Sequence, residues 1–327
     1  MTDFLALLKD TRAYKTIYND RKNDTLSHAY LIITPDGDNV KEYLKIFAKI
    51  ITCESDFPCG SCRTCRLIDV ENFSDVLFYP KKQNTVLSED VTSLIEESYL
   101  KPVESQKKVF ILSNAETMNV QAQNKLLKTL EEPPKNVHIL IGATSEFPLL
   151  STVKSRVKKL EIPPFTYEQL FNALNGECED TEKLASAISC GDGTVGKVKA
   201  LYSDENLSKA IELAVDLIVN MQSSAQVLDY SIKISALKID ATEFMSVLEL
   251  LFSDLMKILS GKSQSVSFKK QFEDIKKASG YSIGAVVNAL EKINEGYKRR
   301  KFNQNGTMLI EWLLFQILEG KYKWQKL

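Results

Sequence analysis

Two apolar runs, Val109-Phe110-Ile111-Leu112 and Val137-His138-Ile139-Leu140-Ile141, bracket a stretch with a different period. In it Met118, Ala122, Leu126 and Leu130 recur at the spacing of one helical face, and Leu127 widens the stripe. The spacing predicts one helix within Asn114 to Pro134, with Asn119 as N-cap. Pro133-Pro134 stops it sharply, because the first proline biases Glu132 away from the helical region. Strand, helix and strand within about 35 residues make a βαβ unit, which requires a parallel sheet.

The rest of the chain extends this α/β pattern and then abandons it. Residues 1–27 are polar and helical in character. His28 to Ile33 reads as a strand, Thr34-Pro35-Asp36-Gly37-Asp38-Asn39 as a turn, and Lys41 to Ile51 as a helix with Tyr43, Leu44, Phe47, Ala48 and Ile51 inward. Val76 to Tyr79 is a further strand. Ser88-Glu89-Asp90 opens a helix whose acids suit its dipole and whose apolar face is Val91, Leu94, Ile95 and Leu100. Pro163-Pro164-Phe165-Thr166 marks a boundary, and helical patterns follow it. Apolar stripes run through Ile211, Leu213, Ala214, Leu217 and Ile218; through Phe244 to Leu259; through Ile283, Val286, Val287, Leu290, Ile293 and Tyr297; and through Leu309 to Leu318. The expected organisation of the 327 residues is an α/β domain over 1–164, a small helical domain over 165–205 and an all-α domain over 206–327.

Composition excludes some classes. Net charge is −1, so any contact with nucleic acid is local or made through partners. The longest apolar stretch, Phe244 to Leu259, carries Glu249, Asp254 and Lys257 and reads as a buried helix. Met1-Thr2-Asp3-Phe4 opens no secretory apolar region, so the expected location is cytoplasmic. Six cysteines there are metal ligands or free thiols sooner than disulfides. Cys53, Cys59, Cys62 and Cys65 form C-x5-C-x2-C-x2-C, four soft ligands for a tetrahedral, structural Zn²⁺. Free thiols are the alternative. Arg63 and Arg66 give the module a route to nucleic acid, weighed against docking or stabilisation. Cys178 and Cys190 stand in unrelated contexts and read as plain thiols.

The strand, turn and helix at 28–51 have the shape of a phosphate-binding loop. That loop needs G-x-x-x-x-G-K-[ST], so that glycines let backbone N–H groups reach phosphate, the lysine meets β/γ oxygens and the hydroxyl holds Mg²⁺. Here Thr34 and Asn39 stand at the glycine positions, Val40 at the lysine and Lys41 at the hydroxyl; Gly37 falls at a variable position. Shifting the frame onto Lys41 places Pro35 and Val40 at the glycines. After the strand ending at Leu112, a phosphoryl-transfer site needs an acid pair for Mg²⁺ and the attacking water. Ser113 and Asn114 stand there, and neither is an anion.

Ala115-Glu116-x-Met118, Ala122-Gln123-Asn124 and Leu126-Leu127-Lys128-Thr129-Leu130-Glu131-Glu132-Pro133-Pro134 together resemble bacterial clamp-loader subunits of the AAA+ class. The resemblance runs in order through His28-Ala29-Tyr30-Leu31, the cysteine module and Leu149-Leu150-Ser151-Thr152-Val153-Lys154-Ser155-Arg156-Val157 to the helical C-terminal part. It implies an AAA+ parallel-sheet domain with a zinc insertion, a helical lid and a collar domain for oligomerisation. In the family, Ser155-Arg156 belongs to a Ser-Arg-Cys motif, with Val157 here replacing the cysteine, and the arginine reaches the ATP of an adjacent subunit. From the residues alone Arg156 reads sooner as a solvated surface arginine in the basic run Lys154 to Lys159, and it is the resemblance that reverses this. Thr144 stands where a family ATPase senses the γ-phosphate but, with no lysine or acids upstream, reads as a strand-end hydroxyl, and Gly196 stands at the position of a second sensor arginine. Asn303-Gln304-Asn305 resembles an Asn-x-Asn of the collar, and Lys298-Arg299-Arg300-Lys301 is a basic run that reads as a cationic helix end or a phosphate or partner contact.

The resemblance therefore implies a non-hydrolysing stator in DNA replication. Its partners would be gamma/tau-type ATPase subunits and the delta subunit of a pentameric loader and, through the complex, the sliding clamp and primer-template DNA. Its cofactor would be structural zinc. Two alternatives are an active AAA+ ATPase subunit of the same loader, which needs the missing lysine and acids, and a stand-alone zinc-dependent nucleic-acid binder, which needs a basic, aromatic track.

Overall fold

A computed structural model describes residues 2–55, 58–82, 84–261, 272–276, 280–301 and 305–324. The chain divides into two compact units, Met1–Glu177 with Gly193–Gly196, and Cys178–Asp192 with Lys197–Leu327.

The first unit opens with α1 (Phe4–Lys9) and α2 (Arg12–Lys22). There follow β1 (Ala29–Ile33), a 3-10 turn at Gly37–Asn39, α3 (Val40–Thr52), α4 (Arg63–Asp69), β2 (Val76–Tyr79), α5 (Ser88–Ser98) and β3 (Lys108–Leu112). A second 3-10 turn at Ala115–Thr117 leads into α6 (Val120–Glu131), β4 (Val137–Ala143), α7 (Ser151–Lys154), β5 (Lys158–Glu161) and α8 (Tyr167–Leu174). The described strands form one parallel sheet in the order β2-β3-β4-β1-β5. β1 lies between β4 (Ala29 beside Ile139) and β5 (Tyr30 beside Lys158). β3 and β4 are buried at every position, as expected of parallel strands covered on both faces, whereas the edge strand β5 buries only Leu160. The expected α/β sheet domain is present.

The stretch from Asn114 to Pro134 is not one continuous helix. Asn114 adopts φ +57°, a left-handed conformation that asparagine tolerates, and the 3-10 turn follows it. The α-helix begins only after Asn119, whose side-chain oxygen accepts from Ala122 N–H at 2.8 Å. Met118, Ala122, Leu126 and Leu130 are all buried in one cluster with β3 and β4 residues. Within α6, Gln123 is 1% exposed and fully bonded. Its Nε2 donates to the carbonyls of Met118 and Pro148, both at 3.1 Å, and its Oε1 accepts from Leu150 N–H at 2.7 Å. One buried amide thereby fixes the segment leading into α7.

The second unit holds α9 (Thr181–Cys190) and all but the first two residues of α10 (Val195–Ser203). It continues with α11 (Asn206–Asn220), α12 (Ser224–Ala236), α13 (Ala241–Leu259), α14 (Phe272–Lys276), α15 (Ile283–Lys301) and α16 (Gly306–Lys323). α13 packs against α11 and α15, and α16 against α12 and α15. Two expected stripes are displaced. In α15 Val286 and Ile293 are buried as expected, whereas Ile283 and Val287 are exposed and Ala285 and Ala289 are buried beside the others. Leu100 lies beyond the end of α5 and is exposed. At Leu100 the apolar period extends past the end of the helix, whereas in α15 the buried face is rotated towards the alanines. No described helix is long and apolar enough to cross a membrane.

Replacing Gln123 by leucine keeps the volume and removes all three bonds, stranding buried backbone groups at about 1–3 kcal/mol each. Gln123→Leu is expected to cost about 3 kcal/mol of urea-unfolding stability; a loss within error of zero would contradict this role.

Candidate functional site

The turn after β1 closes on itself. Val40, at the lysine position of a phosphate loop, is 1% exposed and packs with Leu44 against Gly142 of β4. A Cβ at Gly142 would lie 2.4 Å from Val40 Cγ1 and 2.8 Å from Leu44 Cδ1, so only glycine permits this approach. Thr34 is buried, its N–H bonded to Ala143 O at 3.1 Å. Gly37 lies close to the Thr144 methyl, and Asn39 Nδ2 donates to Asp36 at 3.0 Å. Lys41, the shifted-frame lysine, pairs with Glu71 at 2.5 Å and lies 5.3 Å from the centre of the Phe78 ring.

Asp36 is the centre of this turn. It is 3% exposed and accepts from Asn39, from Tyr43 Oη at 2.6 Å, and from the backbone N–H groups of Val195 and Gly196. Burial, and then the Asp36 charge, push the Tyr43 phenol far above its ordinary range. The expected sensor position, Gly196, is thus a backbone donor. A Cβ there would come within 2.9 Å of Asp36 Oδ1 and 2.7 Å of Asp38 Oδ2.

The acid-pair positions are likewise engaged. Ser113 donates both N–H (2.9 Å) and Oγ (3.1 Å) to Tyr79 O, tying β3 to the end of β2. Asn114 Nδ2 donates to Asn84 O at 2.9 Å. Thr144 Oγ1 donates to Glu116 Oε1 at 2.6 Å.

Arg156 lies elsewhere, between α7 and β5. His28 Nε2 and Arg156 O are 3.1 Å apart, a hydrogen bond at the start of β1. The loop at Thr34 opens at the other end, roughly 16 Å along five residues of strand. The guanidinium is one-third exposed. Nη1 donates to Thr152 O at 2.8 Å and Ser155 Oγ at 3.3 Å, and Nη2 meets Glu131 Oε1 at 2.5 Å. Ser155 Oγ in turn donates to Thr152 O at 3.1 Å. Glu131, the last residue of α6, was not singled out by sequence reasoning; nothing in a Glu-Glu-Pro-Pro helix end specifies a partner 25 positions away (156 − 131).

Cys53, Cys59, Cys62 and Cys65 converge with all four sulfurs within 4.8 Å of one another. Three separations are 3.6, 3.9 and 3.9 Å. A tetrahedron of thiolates around Zn²⁺ has edges of about 3.8 Å at a Zn–S distance of about 2.3 Å. Cys53 caps the end of α3 and Cys62 the start of α4, with Gly60 at φ +71° turning the chain between them. The N–H groups of Cys62 and Cys65 donate to Cys59 Sγ and Cys62 Sγ. Backbone donation from Cys62 and Ser61 lowers the Cys59 thiol to about 6, favouring the thiolate a metal needs. The donor set fits a closed, structural metal site. Cys178 and Cys190 lie outside it, and burial pushes the Cys190 thiol up to about 12.

Arg63, Arg299 and Arg300 have local partners. Arg63 pairs with Glu104, while Arg66 is exposed. Arg299 pairs with Glu295 at 2.6 Å and stacks 3.9 Å from the centre of the Trp312 ring, and Arg300 pairs with Asp240 at 3.0 Å. Asn305 caps α16. Asn303, Gln304 and the Lys301 side chain lie outside the described residues.

A family model described as "DNA polymerase III, delta subunit" matches residues 9–166. DNA polymerase III subunit delta' of Bacillus subtilis is 26% identical over 317 residues, covering 94% of this chain and 96% of that one. DNA polymerase III subunit tau of the same organism is 30% identical over 173 residues, 52% of this chain but only 30% of that longer protein. The delta' subunit of Yersinia pestis is 30% identical over 148 residues, 44% of each chain. A gamma subunit-related protein from Thermotoga maritima superposes with a TM-score of 0.45 at 16% identity, covering 93% of this chain and 99% of that one. The chain is thus similar to DNA polymerase III subunits of the delta' and gamma/tau kinds, to delta' over nearly its whole length.

Proposed function

We propose that the chain is a non-hydrolysing stator of a clamp loader, acting as the delta-prime type of subunit in a DNA polymerase III holoenzyme. It would help load the sliding clamp onto primer-template DNA beside gamma/tau-type ATPase subunits and a delta subunit. The observation that carries this reading is the division of groups between the two ends of β1. At one end Val40, Leu44 and Asp36 fill the turn where phosphates would lie. At the other end stands Arg156, away from that turn and part-exposed. An arginine so placed serves a nucleotide on another subunit, where a guanidinium stabilises the charge developed in phosphoryl transfer. Ser155 accepts from its Nη1 and so helps hold its direction. The residues 165–205 would act as the lid and 206–327 as the oligomerising collar.

Zn²⁺ held by Cys53, Cys59, Cys62 and Cys65 would join the end of α3 to the start of α4. Four thiolates leave no position for substrate, so its contribution is to the fold.

Arg156→Ala is expected to lower the DNA-stimulated ATPase rate of the reconstituted loader tenfold or more, in line with the weight of arginine fingers elsewhere. Its melting temperature should stay nearly unchanged, since a half-exposed ion pair contributes about 0–1 kcal/mol. An unchanged rate would remove the finger. The chain alone is expected to turn over no ATP, and turnover would favour the ATPase reading. Elemental analysis should give one zinc per chain, with the four cysteines protected from alkylation until a chelator is added. Finding no zinc and four reactive thiols would remove the metal.

A further inference from the structure

The carboxylate of Asp36 has the surroundings of a bound anion. Val195 N–H lies 2.9 Å from Oδ2, and Gly196 N–H lies 3.3 and 3.4 Å from Oδ1 and Oδ2. These are the first two residues of α10, where N–H groups have no partner inside the helix and the helix dipole is positive. Tyr43 Oη at 2.6 Å and Asn39 Nδ2 at 3.0 and 3.2 Å complete the shell. Backbone amides at a helix start, joined by polar groups from a strand-to-helix turn, are the donors that receive a phosphate oxyanion in nucleotide-binding proteins. The segment is fixed from its other side as well. Gly193 has φ +82° and its carbonyl accepts from Phe165 N–H at 2.8 Å, and a Cβ there would meet Pro164 Cβ at 2.6 Å.

We infer that Asp36 is a tethered oxyanion that occupies the phosphate position of this turn and clips residues 193–196 onto it. The chain carries permanently, as a side chain, the negative group that a nucleotide-binding relative must collect from solution. The turn is then closed in every nucleotide state, and free oxyanions are kept out by volume and by the like charges of Asp36 and Asp38. This deepens the stator reading and rests on taking the β1–α3 turn as a nucleotide loop without its chemistry.

The full chain tests it. Asp36→Ala empties the position while keeping the donors. It is expected to melt roughly 5 °C lower in chloride buffer and to recover at least half of that loss in about 100 mM inorganic phosphate at matched ionic strength, as a ligand of the folded state alone would produce. Wild type should gain nothing from phosphate. A folded Asp36→Ala that phosphate does not rescue, or a wild type stabilised equally, would overturn the inference. Should Asp36→Ala fail to fold, Asp36→Asn decides, since it keeps the size of the side chain but not its charge. Hydrogen exchange at Val195 and Gly196 should then quicken about tenfold relative to β3 and β4 amides, and unchanged exchange would overturn the clip. Tight ATP binding by the wild-type chain would instead defeat the non-hydrolysing reading, a separate outcome from either of these.

Discussion

A strand hydrogen-bonded on both sides and buried on both faces leaves its neighbours little freedom, and β1 is such a strand. β4 and β5 flank it in parallel register, and α3 leaves its end over the buried β3 and β4. In open parallel sheets the carboxyl ends of the strands make the crevice where ligands bind. Here Thr34, Asp36, Ser113 and Thr144 all cluster at those ends, whereas His28 and Arg156 meet at the amino end. The direction of one strand therefore separates the closed turn from the exposed guanidinium.

The closed turn shows how polar groups are settled where no ligand need enter. A buried polar atom left without a partner costs about 1–3 kcal/mol. Ser113, Asn114 and Thr144 each donate to a group of their own chain, and Lys41 turns outward to Glu71. Apolar contact finishes what hydrogen bonding begins. Val40 and Leu44 press on Gly142, and the missing Cβ lets a helix start approach a strand more closely than any side chain would permit. The same helix, α3, ends at Cys53, so the cysteine module and the closed turn sit at opposite ends of one buried rod.

Much of this was legible in the residues. β1 to β4 and α6 announced themselves through apolar runs, and Asn119 and Pro133 through capping and breaking chemistry, whereas β5, Lys-Lys-Leu-Glu, showed only as part of a basic run. The cysteine spacing carried its own geometry. That Val40, Ser113 and Asn114 are not the lysine and acids a phosphate site needs was readable from residue types alone. The polar pairings were not. Asp36 lies in Pro-Asp-Gly, ordinary turn chemistry, and its donors at Val195 and Gly196 lie far along the chain. Gln123 stands off the apolar stripe of α6, and no sequence pattern brings it to the loop at Pro148 and Leu150 that it bonds. Gly142 alone gave a usable hint, since an isolated glycine in an apolar strand marks close backbone approach. The α15 stripe held at Val286 and Ile293 but not at Ile283 and Val287: periodicity locates apolar residues, but neighbouring helices decide which of them are covered.

The pairing of Arg156 with Glu131 has a consequence for docking. Glu131 closes α6, at the end where the helix dipole is negative. In the proposed finger role, a guanidinium that left it for a triphosphate would strand a carboxylate beside unsatisfied carbonyls, an arrangement both charges oppose. Engagement is therefore an exchange of one anion for another, with a debt left at the helix end. A surface that docks there without supplying a cation for Glu131 holds the arginine less firmly than one that brings its own. If Arg156 acts as proposed, complementarity at this joint would need two charges, a phosphate and a positive group, set about one arginine length apart.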